Sequence, residues 1–251
     1  IRDKVKFIYY RFLCRLSMSK IAIMQPYLFP YIGYWQLVNA VDFFVLLDDA
    51  NYINKGFINR NSLLLNNQKF KFTLELKGAS QNNIIKNIKI GSNSEKIRKT
   101  IFHAYNKSPN FNKVYDLVNE TLNYSDNSNL ADTLFNSINN IVNYLGIKTK
   151  LFRSSDIGIN KNLKGQEKII EICKSLNSYY YLNNFSGSKL YDPFTFSKNG
   201  IKLNFLKAKV MRYKQFNNDF IPNLSIIDVL MFNNSAKTEQ MLLNYEISIK
   251  K

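Results

Sequence analysis

Two adjacent carboxylates, Asp48 and Asp49, end a short apolar run in the first part of the chain. Carboxylates in this position could act as a general base, bind a metal ion or accept hydrogen bonds from sugar hydroxyls. Because consecutive residues of an extended chain point to opposite faces, we expect only one of the two to face a ligand. The alternative is that one of them caps a turn.

A group of amide and guanidinium donors follows, at Asn59, Arg60 and Asn61. An arginine can grip a phosphate or a carboxylate through two parallel hydrogen bonds. We interpret this triplet as a substrate-binding element, and the alternative is an exposed arginine in a surface salt bridge.

A loop of small and basic residues occurs late in the chain, at Ser186, Gly187, Ser188 and Lys189. Backbone N–H groups, two hydroxyls and an ammonium can together cradle a phosphate, although Ser-Gly-Ser is also common in plain turns. Further polar and aromatic candidates for substrate binding are Gln25, Tyr27, Gln36, Tyr191 and Tyr213.

Zinc and histidine-assisted nucleophile chemistry find no support in the residue types. The only histidine, His103, falls in a predicted helix, and the two cysteines, Cys14 and Cys173, have no metal-ligand spacing. We therefore expect no metal site, and no Ser-His-Asp or Cys-His catalytic system.

A βαβ unit would position the first candidates. An apolar run at residues 21–24, a helical segment at 32–40 and a second apolar run at 43–47 follow one another. The two strands of such a unit are parallel, and ligands lie beyond their carboxyl ends. We therefore expect residues 25–34 and 48–61 to converge on one site.

The rest of the chain predicts an α/β fold with a mainly parallel, Rossmann-like sheet. A hairpin over residues 58–76 should turn at Asn66 and Asn67, and Gly146 should cap the last helix of a helical block at about 92–146. The C-terminal part, 225–245, should be mostly helical, after a last strand at 201–206. We predict a single domain over residues 20–251. The other predicted elements are helices at 94–106, 112–122, 129–145 and 165–176 and strands at 84–90, 148–153 and 179–182.

The formal net charge of +17 predicts a surface that attracts anions. An AT-rich genome, which enriches Lys, Asn and Ile, is the alternative explanation. Residues 1–19 form either a basic amphipathic segment, which could lie through residues 1–17 on the inner-membrane surface, or a linker. Without a signal peptide or a membrane-spanning run, we expect the protein to be cytoplasmic, or peripheral to that membrane.

The sequences MQPYLFPYIGYWQL and VDFFVLLDDANYINKGFINRN resemble the opening of the WbqC-like family, which is found in bacterial O-antigen and capsule gene clusters. The segments GQEKIIEICKSL, YYYLNNFSGSKLY and FIPNLSIIDVLMFN resemble the same family in the same order, so that the resemblance covers residues 20–234. The chain departs from the family near Tyr213, because it has Val-Met-Arg-Tyr where a His-Pro-x-Tyr-like element is usual. An obvious candidate base is therefore missing.

The PYIGY segment, residues 30–34, is similar in position to the His-x-Gly-His element of adenylyl-transferring α/β enzymes (nucleotidyltransferase-like). Gly33 is kept, while Tyr31 and Tyr34 occupy the histidine positions. Tyrosine hydroxyls can donate to a phosphate or a sugar, but they carry no positive charge. The resemblance implies an anion- or sugar-binding helix start. The alternative is that Gly33 allows close helix–strand packing while the tyrosines pack internally.

The family resemblance implies an enzyme of surface-polysaccharide biosynthesis that transfers an acyl or aminoacyl group, such as glycyl, to the amino group of a nucleotide-linked amino sugar. Asp48 or Asp49 would deprotonate the sugar ammonium, and Tyr31, Tyr34 and Arg60 would orient the reacting groups. The donor could be an adenylate made with ATP, a thioester on an acyl carrier protein, or an aminoacyl-tRNA. A non-catalytic nucleotide- or sugar-binding module and an RNA-binding protein remain alternatives, although no common RNA-binding signature is present.

Overall fold

A mainly parallel sheet forms the centre of the protein, as the sequence predicts. The structure is a computed structural model, and it describes residues 19–216 and 219–249. Within these ranges the six strands of the central sheet lie in the order β10-β9-β8-β1-β2-β7, and all neighbours pair in parallel except β10 with β9. The bounds of these strands are β1 Lys20–Met24, β2 Phe43–Leu46, β7 Lys150–Arg153, β8 Tyr180–Asn184, β9 Lys202–Ala208 and β10 Tyr245–Ser248.

The predicted βαβ unit is confirmed. The strands β1 and β2 pair in parallel with Ile21 opposite Phe43, and helix α1, Ile32–Asn39, connects them. All four residues of β2 are buried because the strand has neighbours on both sides and helices on both faces. The ends of β1 and β2 therefore lie side by side at one edge of the sheet.

The strand order reverses between β1 and β8. From β1 the chain moves through β2 to β7 in one direction, and helix α5, Gly165–Ser175, then carries it across to β8 on the other side of β1. In open α/β sheets, the crevice at such a reversal, beyond the carboxyl ends of the strands, is the usual ligand position. A ligand is therefore expected to contact the residues that follow β1 and β8.

A hairpin projects from the central sheet after β2. Its strands, β3 Arg60–Leu65 and β4 Gln68–Thr73, pair in antiparallel register around Asn66 and Asn67. Both asparagines have positive φ, 50° and 62°, as a two-residue hairpin turn requires, so the predicted turn is confirmed. A second short pair, β5 Leu76–Lys77 and β6 Lys89–Ile90, follows, and the strand predicted at 84–90 is reduced to β6 because residues 85–87 form a 3₁₀ turn.

The helical block is confirmed, and it consists of α2 Ser94–Tyr105, α3 Phe111–Thr121 and α4 Leu130–Leu145. Gly146 ends α4 with φ 67°, as the sequence predicts. Two apolar cores lie on opposite faces of the sheet. The first includes α1 and the helical block, and the second is built around α5 and helix α6, Pro193–Lys198.

The C-terminal part is helical, with α7 Ile226–Phe232 and α8 Ser235–Leu243, but β9 is not the last strand. The strand β10 follows α8 and pairs with β9 at the edge of the sheet. Its short run, Tyr-Glu-Ile-Ser, has too little apolar periodicity to be predicted. The amphipathic segment expected at residues 1–17 lies outside the described residues. None of the described helices has the length and apolar composition that crossing a bilayer requires.

Candidate functional site

The crevice between β1 and β8 is bridged by two polar side chains. Tyr31 is the N-cap residue of α1, and its hydroxyl accepts a hydrogen bond of 3.1 Å from Nδ2 of Asn184, the last residue of β8. Both side chains are only partly buried, so that a ligand in the crevice would meet them. The structure therefore joins the PYIGY segment to the end of β8.

Gly33 has a specific steric role at the start of α1. A Cβ atom at this position would lie 2.5 Å from Cε2 and 2.8 Å from the hydroxyl oxygen of Tyr31, because the tyrosine ring lies over the first helical turn. Gly33 therefore allows Tyr31, rather than a strand, to approach closely. Its contribution to the site is to hold the Tyr31 ring in place.

Tyr34 and Gln36 belong to the core and not to the crevice, which corrects their assignment to substrate binding. Tyr34 is 1% exposed, its hydroxyl donates to the carbonyl of Gln25, and burial raises its pKa. Gln36 is fully buried, and its Nε2 lies within hydrogen-bond distance of three backbone carbonyl oxygens, those of Lys209, Met241 and Asn244. Because α1 is buried on nearly all sides, these positions leave no room for a ligand.

Asp48 is held by two serines of the neighbouring strand end. It is 3% exposed and accepts hydrogen bonds from Ser154 Oγ at 3.0 Å, from the backbone N–H of Ser155 at 3.0 Å and from Ser155 Oγ at 2.7 Å. Both of its oxygens are thus occupied. Asp48 fixes the turn after β7 to the end of β2, and its predicted catalytic role is not supported by this position.

Asp49 has one oxygen available. Its Oδ1 forms an ion pair of 2.7 Å with Lys168 of α5 and accepts a short hydrogen bond from Ser154 Oγ. No residue in the described part of the chain donates a hydrogen bond to its Oδ2. A single serine hydroxyl has one proton and cannot donate to both aspartates at once, so the cluster offers more acceptors than donors. Asp49 is therefore the carboxylate of this pair that can receive a proton or hydrogen bond from a ligand.

Lys168, Ser154 and Ser155 were not predicted from the sequence. The two serines follow a strand predicted at 148–153, so the rule that selected Asp48 and Asp49 could also have selected them. Lys168 gave no signal because it stands in a mixed segment, Glu-Lys-Ile-Ile-Glu, of an amphipathic helix. Only the fold shows that its side chain is 10% exposed and directed to Asp49.

A groove adjoins the crevice on the side of the β3–β4 hairpin. Tyr27 and Tyr31 contribute to its wall, and its volume is about 330 Å³. Burial raises the pKa of Tyr27, and the neighbouring Tyr31 raises it further, so that the Tyr27 hydroxyl stays neutral. Gln25 lies nearby and donates to the backbone carbonyl of Asn51. The remaining residues of the lining are Pro30, Phe57, Asn61, Lys69 and Asn223.

The asparagines of the predicted Asn-Arg-Asn element support the fold. Asn59 accepts from the Tyr52 hydroxyl and donates to the carbonyl of Leu74. Asn61 donates to two carbonyls, of residues 28 and 29, and so attaches the hairpin to the loop that carries Tyr27. Only Asn61 of the pair reaches the groove. Arg60 is partly buried and donates through Nε to the carbonyl of residue 56, which leaves the ends of its guanidinium outside any ion pair with the described residues.

The loop expected to cradle phosphate is closed on itself. Residues 185–190 form a 3₁₀ turn in which Asn184 Oδ1 accepts from both the backbone N–H and the hydroxyl of Ser186. Gly187 packs against the Asn183 side chain, and Lys189 is exposed. Tyr191 contacts Tyr181 and lies on the α5–α6 side of the sheet. This loop contributes Asn184 to the crevice, but the donors of Ser186 are not free for an anion.

Tyr213 belongs to a hydrogen-bond network around a buried carboxylate. Its hydroxyl donates a short hydrogen bond to Asp228, which also accepts from Tyr105 at 2.8 Å and from Gln215 at 2.6 Å. Asp228 is fully buried, and burial raises its pKa. The network joins α2, α7 and the segment before α7, so Tyr213 is structural here and not a substrate-binding residue.

Comparisons with known proteins agree with the resemblance seen in the motifs. The sequence profile of the WbqC-like protein family matches residues 25–240. A protein of Mycobacterium tuberculosis (strain ATCC 25618 / H37Rv), described as uncharacterized, is similar, with 26% identity over 229 residues that cover 90% of this chain and 98% of the relative. No solved structure gives a significant match.

Proposed function

Since the chain belongs to the WbqC-like protein family, we propose that it is an enzyme of bacterial surface-polysaccharide biosynthesis, which transfers an acyl or aminoacyl group to the amino group of a nucleotide-linked amino sugar. In this reaction the amine nitrogen forms a bond to the acyl carbonyl carbon, and the bond from that carbon to the donor's leaving group breaks. The amine loses a proton, which a base must accept. The donor would be an acyl adenylate, which is a mixed anhydride, a thioester on a carrier protein, or the ester of an aminoacyl-tRNA, and AMP, the carrier thiol or the tRNA would be the respective leaving group.

The observation that carries this proposal is that Asp49, at the end of the strand next to β1, has a carboxylate oxygen to which no described residue donates. Asp49 follows β2, while Tyr31 and Asn184 follow β1 and β8. With neighbouring strands about 5 Å apart, the ends of β2 and β8 are separated by roughly 10 Å. A sugar ring in the crevice could thus contact Asn184 while its amino group reaches Asp49.

Each residue then has a distinct task. Asp49 Oδ2 accepts the proton of the sugar ammonium, and Lys168 and Ser154 hold its other oxygen and so fix the orientation of the carboxylate. Tyr31 and Asn184 offer a hydroxyl and an amide to the sugar hydroxyls. Holding an amine and a base in this orientation can supply a large part of the rate acceleration.

The first experiment is a thermal-shift screen against UDP- and dTDP-linked amino sugars, ATP, acyl-CoA and RNA, because a ligand that binds only the folded state raises the transition temperature. A shift with an amino sugar should be followed by an acyl-transfer assay with the corresponding donors. RNA as the only ligand, with binding lost as salt is raised, would refute the proposal.

The second experiment compares Asp49→Asn with Asp42→Asn. These residues stand at opposite ends of β2, and Asp42 accepts a hydrogen bond from the backbone N–H of Lys20 at the far edge of the sheet. Asp49→Asn should lower kcat by about 100-fold or more, as the loss of a general base does, with little change in sugar binding. Asp42→Asn should leave kcat unchanged. Sugar binding without any turnover in the wild-type protein would instead favour a non-catalytic binding module.

A further inference from the structure

The segment between Asp49 and Glu75 contains no acidic residue and four basic ones, Lys55, Arg60, Lys69 and Lys71. It forms the loop after β2 and the whole β3–β4 hairpin. None of the four makes an ion pair with the part of the chain that the structure describes. This surface therefore has an uncompensated positive charge next to the crevice.

The groove beside this hairpin combines aromatic rings with one of these cations. Phe57 is 58% exposed, and its ring centroid lies 6.0 Å from that of Tyr27. Lys69 lies in the wall of the same groove and is exposed. A flat ring beside Phe57 and an anionic group at Lys69 could both be accommodated, as in a nucleotide.

The loop after β8 offers few donors to a phosphate. The donors of Ser186 that were expected to hold a phosphate are occupied by Asn184. The ring of Tyr31 covers the first turn of α1, where an anion could otherwise bind. Lys69 lines the groove instead, where its ammonium can donate to a phosphate.

We propose that the groove between Tyr27, Phe57 and Lys69 binds the nucleoside diphosphate part of the nucleotide-linked sugar. The base contacts the rings of Phe57 and Tyr27, and a phosphate accepts a hydrogen bond from the Lys69 ammonium. The volume of about 330 Å³ suits a part of such a ligand and leaves the sugar to extend past Tyr31 toward Asp49. This inference rests on the proposed function only for the identity of the attached sugar.

Calorimetric titration of UDP and dTDP, without any sugar, tests the groove directly. The decisive comparison is Lys69→Ala with Lys71→Ala, since both lysines are exposed on β4 but Lys71 does not line the groove. Loss of a charge-assisted hydrogen bond should raise the Kd about 10-fold or more for Lys69→Ala. Lys71→Ala should change the Kd by less than about 3-fold, the effect of a nearby charge in water.

A second matched pair tests the aromatic wall. Phe57→Ala should weaken nucleotide binding about 5-fold or more, because stacking on an exposed ring contributes to the binding of each base. Phe70→Ala removes a ring that is 42% exposed on the same hairpin but lies outside the groove lining, and it should have no effect. Neither side chain is buried, so both variants should fold.

Three results would overturn the inference: no binding of UDP or dTDP, equal weakening by the two lysine variants, or equal weakening by the two phenylalanine variants. Equal increases in Kd for Lys69→Ala and Lys71→Ala would mean that both lysines attract the nucleotide only through long-range charge and that Lys69 does not contact the phosphate. Nucleotide binding that depends on Lys69, without acyl transfer, would support the groove while refuting the proposed reaction. Acyl transfer with a KM for the nucleotide-linked sugar that Lys69→Ala leaves unchanged would support the proposed reaction while refuting the groove.

Discussion

The Lys168→Met substitution tests whether α5 positions Asp49 through a buried ion pair. The side chains of Lys168 and Asp49 are 10% and 16% exposed, and their charged atoms are 2.7 Å apart. Methionine keeps most of the apolar stem of lysine, so that the packing of α5 on the sheet is preserved. The substitution therefore removes the charge and leaves the carboxylate in a largely dehydrated position.

The expected loss of stability follows from this burial. Breaking a fully buried ion pair from one side costs about 3–5 kcal/mol, since the remaining charge is uncompensated. Asp49 keeps some contact with water and its hydrogen bond from Ser154, so we expect the lower end, about 3 kcal/mol. For a chain of this size that corresponds to a fall in Tm of about 6–12 °C.

The assay is thermal unfolding of four proteins: wild type, Lys168→Met, Asp49→Asn and the double variant. The double variant has no uncompensated charge, so it should regain at least half of the stability that Lys168→Met loses. Lys164→Met is the matched control, since Lys164 is exposed next to the start of the same helix. Its free energy of unfolding should change by less than about 0.5 kcal/mol.

Two outcomes would refute this reasoning. A fall in Tm below about 2 °C for Lys168→Met would mean that the pair contributes no more than a surface ion pair. Destabilisation of the double variant by the sum of the two single effects would mean that Lys168 and Asp49 are not coupled. In either case α5 would not be the element that fixes the carboxylate, and Asp49 would lose its positioning partner.

Three further predictions concern other parts of the structure. Gly33→Ala should destabilise the protein by about 1–3 kcal/mol and weaken ligand binding, because the methyl group of the alanine would overlap the Tyr31 ring. Adding Tyr31→Ala should restore stability, and thermal unfolding that shows no restoration would contradict this geometry. Asp228→Asn should flatten the dependence of the free energy of unfolding on pH. Because burial raises the pKa of Asp228, the stability that this residue contributes is fully present below the ordinary carboxyl pKa and is lost as the pH rises through the raised pKa. The prediction is wrong if urea unfolding gives the same change in free energy with pH for the variant and the wild type across the acid range. Cys173 is buried and burial raises the pKa of its thiol, so in a Cys14→Ser background a thiol reagent should label it only after unfolding, and rapid labelling of the native protein would contradict the packing.

The sequence predicts those elements whose signal is local. The apolar runs that flank the PYIGY segment are short, buried and separated by a helix-length segment, so the βαβ unit follows from them. The turn at Asn66 and Asn67 is equally local, because these residue types tolerate positive φ. Since Tyr31 and Asp49 follow the two predicted parallel strands, the sequence also predicts that they lie at the same edge of the sheet.

The features that sequence could not supply depend on distant contacts. The bridge between Tyr31 and Asn184 joins residues more than 150 positions apart, and it exists because β8 inserts next to β1. The resemblance of PYIGY to a His-x-Gly-His element places Tyr34 in the site, but α1 is buried on nearly all sides and therefore lacks the helical periodicity that would show that Tyr34 faces the core. The pairing of Lys168 with Asp49 likewise requires the crossover of α5.

The anchoring of α1 by Gln36 has a consequence for how the protein is made. The amide of Gln36 lies within hydrogen-bond distance of carbonyl oxygens at Lys209, Met241 and Asn244, all of which are translated much later. At about 5–20 residues per second, a ribosome needs roughly 10–40 s to reach the last of them. During that interval α1 is without its final partners on a nascent chain, and a chaperone that binds emerging apolar segments would have time to act on it. A ribosome stalled before the codon for Met241 would therefore carry a chain in which the helix that positions Tyr31 still lacks two of these three contacts.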